Sequence, residues 1–119
     1  MAAALTETLL TLPNGVRIVV LPTPALATST VAVFIRSGSA HEPKLVNGIS
    51  HVVEHMLFKG TATRDARRIN LDAEKLGADV NAHTDRDHTA FYMRGLPAHA
   101  DDFVRMLGDL VCSATFPAD

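Results

Sequence analysis

Two histidines and a glutamate in the middle of the chain have the types and spacing that metal-assisted hydrolysis requires. His51, Glu54 and His55 stand in the order H-x-x-E-H, the inverted form of the H-E-x-x-H arrangement that binds zinc. In a helix of about 3.6 residues per turn, residues four apart share one face. Both imidazoles can therefore reach one Zn²⁺ at about 2.0–2.1 Å. The carboxylate then lies beside the metal, free to move a proton.

The residues around this motif predict the helix that it needs, from about 48 to 58. Gly60 follows as a stop signal, and Lys59 puts a cation where the helix dipole favours one. The alternative interpretation is a solvated helix that carries unrelated histidines. An apolar stripe at helical spacing argues against it, formed by Ile49, Val52, Val53, Met56 and Leu57.

The rest of the chain predicts an α+β domain in the order βββααββα, with helices packed on one face of a largely antiparallel sheet. Strands are expected at 8–12 and 17–21, around a Pro-Asn-Gly turn, and then at 30–37, 80–84 and 89–94. Asp65 is the expected N-cap of a second helix ending at Leu76. Pro97 and Asp101 open a last helix ending near Cys112. Its expected buried face comprises Phe103, Met106, Leu107, Leu110 and Val111.

Composition indicates one ordinary globular domain. Of 119 residues, 47% are hydrophobic and 20% are charged, and the formal net charge is −2. That charge gives no reason to expect a nucleic-acid partner, and no apolar run is long enough to predict a membrane span. Cys112 is the single cysteine and is expected to be buried as a small apolar residue. No basic residue precedes Arg17, so a cytoplasmic location is expected.

Longer runs of sequence resemble one known family. The run from Asn47 to Thr61 is similar to the NG-x-x-H-x-x-EHM-x-FKGT hallmark of the M16 (pitrilysin-like) zinc metallopeptidases. That family includes the mitochondrial processing peptidases and their bacterial relatives. Further matches follow in the family's order over nearly the whole chain. They are Leu-Pro-Asn-Gly at 12–15, Gly-Ser-Ala-His-Glu-Pro at 38–43, Leu-Gly-Ala-Asp-Val-Asn-Ala at 76–82 and Thr-Phe-Pro at 115–117.

The resemblance implies a zinc-dependent metalloendopeptidase that cleaves a peptide or unfolded protein. His51 and His55 would bind Zn²⁺, and Glu54 would act as general base toward the attacking water. An extended substrate would add to the edge of the strand that carries Asn81 and Ala82. Such addition uses main-chain hydrogen bonds and accepts many sequences. The alternative for this pair is an ordinary strand start with Asn in a turn.

One departure from the family concerns the third zinc ligand, a glutamate on a later helix. Only Ala118 and Asp119 follow Pro117. Residues 1–119 are therefore expected to be an N-terminal M16 peptidase domain truncated before that ligand, inactive in isolation and completed by a second M16-like domain or subunit. Surface solvation is the expected role of the remaining carboxylates that were considered as substitutes, Asp72, Glu74, Asp79, Asp85 and Asp87.

Two other functions remain open at this level. A noncatalytic assembly subunit could share the fold, although such members commonly lose the zinc motif. A structural zinc site usually needs four protein ligands, often cysteines, and the single cysteine disfavours it. Exposed or structural roles are expected for the other histidines, His41, His83, His88 and His99.

Overall fold

The computed structural model of the chain describes residues 6–118. Its strands and helices follow in the predicted order βββααββα, and each boundary lies within two residues of the expected one. The α+β class is confirmed. The strands are β1 (Thr8–Thr11), β2 (Arg17–Val20), β3 (Ser29–Ile35), β4 (Asp79–Thr84) and β5 (Thr89–Gly95), and the helices are α1 (Ile49–Leu57), α2 (Ala66–Lys75) and α3 (Ala100–Cys112).

The strands form two antiparallel sheets rather than one. β1 and β2 pair only with each other, whereas β3, β5 and β4 form a three-stranded sheet in that spatial order. Pro22 and Pro24 lie between the hairpin and β3, where the missing N–H groups disfavour continued strand pairing. All residues of β1 and β2 are exposed, including Leu9 and Val19.

The core lies between the three-stranded sheet and the helices. β5 is the central strand, so its residues Phe91 and Met93 are buried beneath neighbours on both sides. α2 is capped as predicted, since Asp65 accepts the Arg68 N–H at 2.7 Å. α3 covers this face with four residues of its predicted stripe, Phe103, Met106, Leu107 and Leu110, and α2 adds Ile69 and Ala73.

Three details differ from the expectations. Cys112 is exposed, because the helical position after Val111 turns away from the core. On α1 only Leu57 of the predicted stripe is buried, while Val52 is 54% exposed. Short 3₁₀ turns also occur in the segment predicted as loop, at Ser39–His41 and Lys44–Val46, and a third, at Pro97–His99, precedes α3 where the sequence predicts the start of the last helix. Among residues 6–118, no helix has the length and apolar character needed to cross a membrane.

The segment that follows α1 is fastened to the other two helices by charged hydrogen bonds. The guanidinium of Arg64 donates to Asp72 on α2, at 2.8 Å, and to Asp109 on α3. Thr61 is 7% exposed and donates its hydroxyl to Asp109 at 2.8 Å. Hydrogen bonds to Arg64 hold the pKa of Asp72 below its usual range. These bonds fix where α1 ends relative to the core.

Candidate metal centre

The helix that carries the H-x-x-E-H motif is capped by a side chain from the preceding loop. The Glu42 carboxylate accepts the N–H of Gly48 at 2.6 Å and that of Ser50 at 2.9 Å. Gly48 is the N-cap of α1 and has φ 90°, which a residue with a Cβ adopts only with strain. A carboxylate at a helix N-terminus satisfies free N–H groups and complements the helix dipole.

The same loop is anchored on the turn between β4 and β5. Ser39 and Ala40 donate their N–H groups to the carbonyls of Asp85 and Arg86, at 3.0 and 2.8 Å. A Cβ at Gly38 would lie 2.3 Å from the Asp85 oxygen, so only glycine permits this approach. The Gly-Ser and Glu-Pro parts of one loop thus connect the sheet to the start of α1. The sequence prediction missed the capping role of Glu42.

The predicted triad does converge. The Nε2 atoms of His51 and His55 lie 3.0 Å apart, and their ring centroids are 4.5 Å apart with the planes nearly perpendicular. One donor atom from each of His51, Glu54 and His55 falls within 4.8 Å of the others. Both histidines are exposed, whereas Glu54 is only 8% exposed. The imidazoles therefore face solvent while the carboxylate lies against the sheet.

The Glu54 carboxylate is held by a residue that the sequence prediction did not single out. The hydroxyl of Thr84, the last residue of β4, donates a hydrogen bond to Glu54 Oε2. Side chains alternate along a strand, so Thr84 shares with Ala82 the face that packs toward the helices. The alternation along β4 predicts that Thr84 faces the helices, but it does not predict that Thr84 meets Glu54.

These residues fit a zinc ion. Two nitrogen ligands at about 2.0–2.1 Å in tetrahedral geometry are about 3.3 Å apart, close to the observed separation. Within residues 6–118, no further histidine, cysteine or carboxylate joins the group. Asp72 is paired with Arg64 and Arg68 instead. Two imidazoles thus converge at the spacing of zinc ligands, with the Glu54 carboxylate beside them.

The predicted substrate strand is an edge strand. Within the described residues, β4 pairs with β5 alone and leaves its other edge unpaired. The Ala82 N–H donates to the side-chain oxygen of Asn81 at 2.8 Å. Asn81 also lines a groove of about 380 Å³ between α2 and the sheet, together with Glu74 and Tyr92. The structure therefore places Asn81 and Ala82 at an open sheet edge.

Comparison with known proteins agrees with this arrangement. The sequence model of the family described as insulinase (peptidase family M16) matches residues 17–119. A protein of Bacillus subtilis (strain 168) named uncharacterized zinc protease YmxG is 42% identical over 106 residues, which are 89% of this chain and 26% of that protein. The beta subunit of the mitochondrial-processing peptidase of Blastocladiella emersonii is 39% identical over 104 residues, 87% of this chain and 22% of that protein.

Two further similarities extend the comparison. A ubiquinol-cytochrome-c reductase complex core protein I of Euglena gracilis is 39% identical over 103 residues, 87% of this chain and 21% of that protein. The crystal structure of a protease from Helicobacter pylori superposes with a TM-score of 0.90 at 26% identity, over 97% of this chain and 28% of that one. The chain thus spans about a quarter of the length of the relatives it matches.

The capping role of Glu42 predicts a pH-dependent start of α1. Hydrogen bonds from the backbone of Gly48 and Ser50 lower the pKa of Glu42. The cap is therefore complete above the unfolded pKa of about 4.3 and is lost as the pH falls through the lower folded value. Substituting Glu42→Ala is expected to reduce the hydrogen-exchange protection factors of the first α1 amides at pH 6.

The wild-type protection factors should approach those of this variant when the pH is lowered below about 4. Glu74→Ala on α2 is the matched control and should leave these amides protected, since the carboxylate that caps α1 belongs to Glu42. Identical protection of α1 in Glu42→Ala and the wild type at pH 6 would contradict the capping role.

Proposed function

Since the chain belongs to peptidase family M16, we propose that it forms the zinc-binding part of a metalloendopeptidase. The observation that carries the proposal is the convergence of two imidazoles and one carboxylate within 4.8 Å on one helix. His51 and His55 are the proposed ligands, and neutral imidazole binds Zn²⁺ without cancelling its charge. Glu54 is the proposed general base.

The proposed chemistry divides between the ion and the carboxylate. Zinc, when bound, supplies Lewis acidity that polarises a scissile carbonyl and makes a water molecule more acidic. Glu54 takes a proton from the attacking water and passes it to the leaving amine. The hydrogen bond from Thr84 and the burial of Glu54 support this role, because they restrict the carboxylate to one orientation.

A noncatalytic assembly role is the second candidate. The Euglena gracilis relative named as a complex core protein favours it, since that protein is named for a place in an assembly. The intact H-x-x-E-H geometry supports the catalytic proposal instead, because assembly alone requires neither converging imidazoles nor an adjacent carboxylate.

The proposed centre needs a further protein ligand, since catalytic zinc sites generally use three. We propose that a second M16-like domain or subunit packs on this one and that the third ligand lies outside residues 6–118. The names of the two mitochondrial relatives support a partner, because one is a subunit and the other a complex core protein. The exposed apolar side chains of the β1–β2 hairpin and of α1 also support it, for instance Leu10 at 52% and Val52 at 54% exposure.

The open edge of β4 supports an extended peptide as substrate. A peptide strand added there would hydrogen-bond to the β4 main chain and lie beside Glu54, which Thr84 ties to the same strand. The N–H of Ala82 is one available donor, provided that the side chain of Asn81 releases it. Recognition through main-chain groups makes the proposed specificity broad.

The role of Glu54 is tested by Glu54→Gln in the full gene product. The amide cannot accept the proton, so peptide cleavage should fall by about 10²–10⁴-fold. Zinc content should stay at the wild-type level, because both imidazoles remain. Asp101→Asn, at an exposed carboxylate in the first turn of α3, is the matched control and should change neither quantity. Cleavage by Glu54→Gln at the wild-type rate would exclude Glu54 as the base.

Edge-strand binding is tested with backbone-methylated peptide substrates. Methylation of an amide that faces β4 removes one hydrogen bond, worth about 1–3 kcal/mol when its partner is left unsatisfied, so kcat/KM should fall about 5–150-fold. Methylation of the next amide, which faces away, is the matched control and should have little effect. Equal effects along the peptide would contradict binding at the β4 edge.

A further inference from the structure

A second pair of histidines converges at the turn between β4 and β5. The Nε2 atoms of His83 and His88 lie 3.3 Å apart, and their ring centroids are 5.4 Å apart at an interplanar angle of 86°. This geometry resembles that of His51 and His55. The turn creates it, because the Asp85 N–H donates to the His88 carbonyl at 2.8 Å and brings the two strands together.

The ring of His88 is held in place by the sheet. Phe34, Ala90 and His83 are register partners on three adjacent strands, so their side chains share one face. The His88 ring centroid lies 5.8 Å from that of Phe34 and 5.4 Å from that of His83. Phe34 lies on β3 and His83 on β4, and these two strands are about 9–10 Å apart with β5 between them. The His88 ring therefore lies between the side chains of Phe34 and His83. Ala90 is accordingly only 1% exposed.

A carboxylate orients the same ring. Asp87 Oδ1 lies 2.7 Å from His88 Nδ1. A proton on Nδ1 makes this a hydrogen bond and leaves the lone pair of Nε2 directed at His83. Histidine ligands of metals typically have their second nitrogen bound in this way to a carboxylate or carbonyl. Asp87, His88 and His83 thus have the arrangement of a ligand pair with one outer-shell partner.

This pair is separate from the H-x-x-E-H motif. Thr84 contacts Glu54 on the helix-covered face of β4, and His83 is the residue immediately before it. Successive strand residues point to opposite faces, so the His83 side chain lies on the other side of the sheet. In the described part of the chain, no third histidine, cysteine or carboxylate completes a cluster with His83 and His88. Other coordination positions would be open to water.

We propose that His83 and His88 form a second, solvent-open binding site for a divalent transition-metal cation. Their Nε2 separation of 3.3 Å equals the spacing of about 3.3 Å that two imidazoles have on a tetrahedral ion. Imidazole ligands select Zn²⁺, Ni²⁺ and Cu²⁺ over Mg²⁺ and Ca²⁺, and Cu²⁺ should bind most tightly. A bound ion would link the two sides of the β4–β5 turn. The loop that carries Gly38 packs against this turn through main-chain hydrogen bonds.

The test is zinc binding by the full gene product that carries His51→Asn and His55→Asn, measured by equilibrium dialysis against ZnCl₂. This parent variant lacks the first pair, so the experiment does not depend on the proposed peptidase function. Adding His88→Asn or His83→Asn should weaken one class of zinc site at least tenfold. Adding Asp87→Asn should weaken the same class about tenfold, since outer-shell substitutions typically cost 10–100-fold in metal affinity.

The matched control is His99→Asn in the same parent. His99 also lies beside a carboxylate, 3.6 Å from Asp102, but it has no second imidazole at hydrogen-bonding distance among the described residues, so zinc binding should not change. Far-UV circular dichroism establishes that each variant is folded. If His88→Asn unfolds, His83→Asn provides the test, because His83 is exposed and its substitution should leave the fold intact. Unchanged zinc binding in folded His83→Asn or His88→Asn overturns the proposal and leaves an ordinary hydrogen-bonded histidine pair.

Discussion

The hydrogen bond between Thr84 and Glu54 joins the helix of the candidate centre to the sheet, and the orientation of the other groups depends on it. Glu54 is buried, and its carboxylate needs a donor because burial without one costs about 1–3 kcal/mol or more. Once Glu54 faces Thr84, the rotation of α1 about its axis is set. His51 and His55 then lie on the exposed side of the helix, where an ion and a substrate can reach them.

The loop before α1 imposes a second constraint that supports the first. Gly38 permits its backbone to touch the β4–β5 turn, and Glu42 caps the start of α1 by accepting the N–H groups of Gly48 and Ser50. β4 therefore contacts the helix directly through Thr84 and indirectly through this loop. The loop before α1 and the β4–β5 turn, which lie far apart in the chain, thus form one connected support for the candidate metal ligands His51 and His55.

Much of this arrangement follows from local pattern. Helical spacing identified the shared face of His51 and His55, and the apolar stripe of α3 matched its buried side because such stripes must face a core. The partners of Glu54 and Glu42 were not predictable in the same way. Thr84 is 30 residues from Glu54, and strand alternation indicates a face without specifying what packs on it.

The errors have related physical causes. Apolar spacing on α1 predicted burial, yet within residues 6–118 no element covers Val52. Cys112 was expected in the core from its residue type, but its helical phase directs it outward. The proximity of His83 and His88, which the expectation of exposed or structural roles leaves open, could not be predicted because only the turn geometry brings their rings together. The exposure of Val52 and the proximity of the two imidazoles depend on tertiary relationships, whereas the exposure of Cys112 follows from its helical phase.

The most direct test of the central claim is anomalous diffraction at the zinc edge from crystals of the zinc-loaded full gene product. We expect a peak at about 2.0–2.1 Å from Nε2 of both His51 and His55, with a further protein ligand completing the site. Glu54 should lie next to the ion without ligating it. Bound zinc elsewhere in the crystal, with no peak between these two imidazoles, would contradict the assignment of this helix as a catalytic zinc centre.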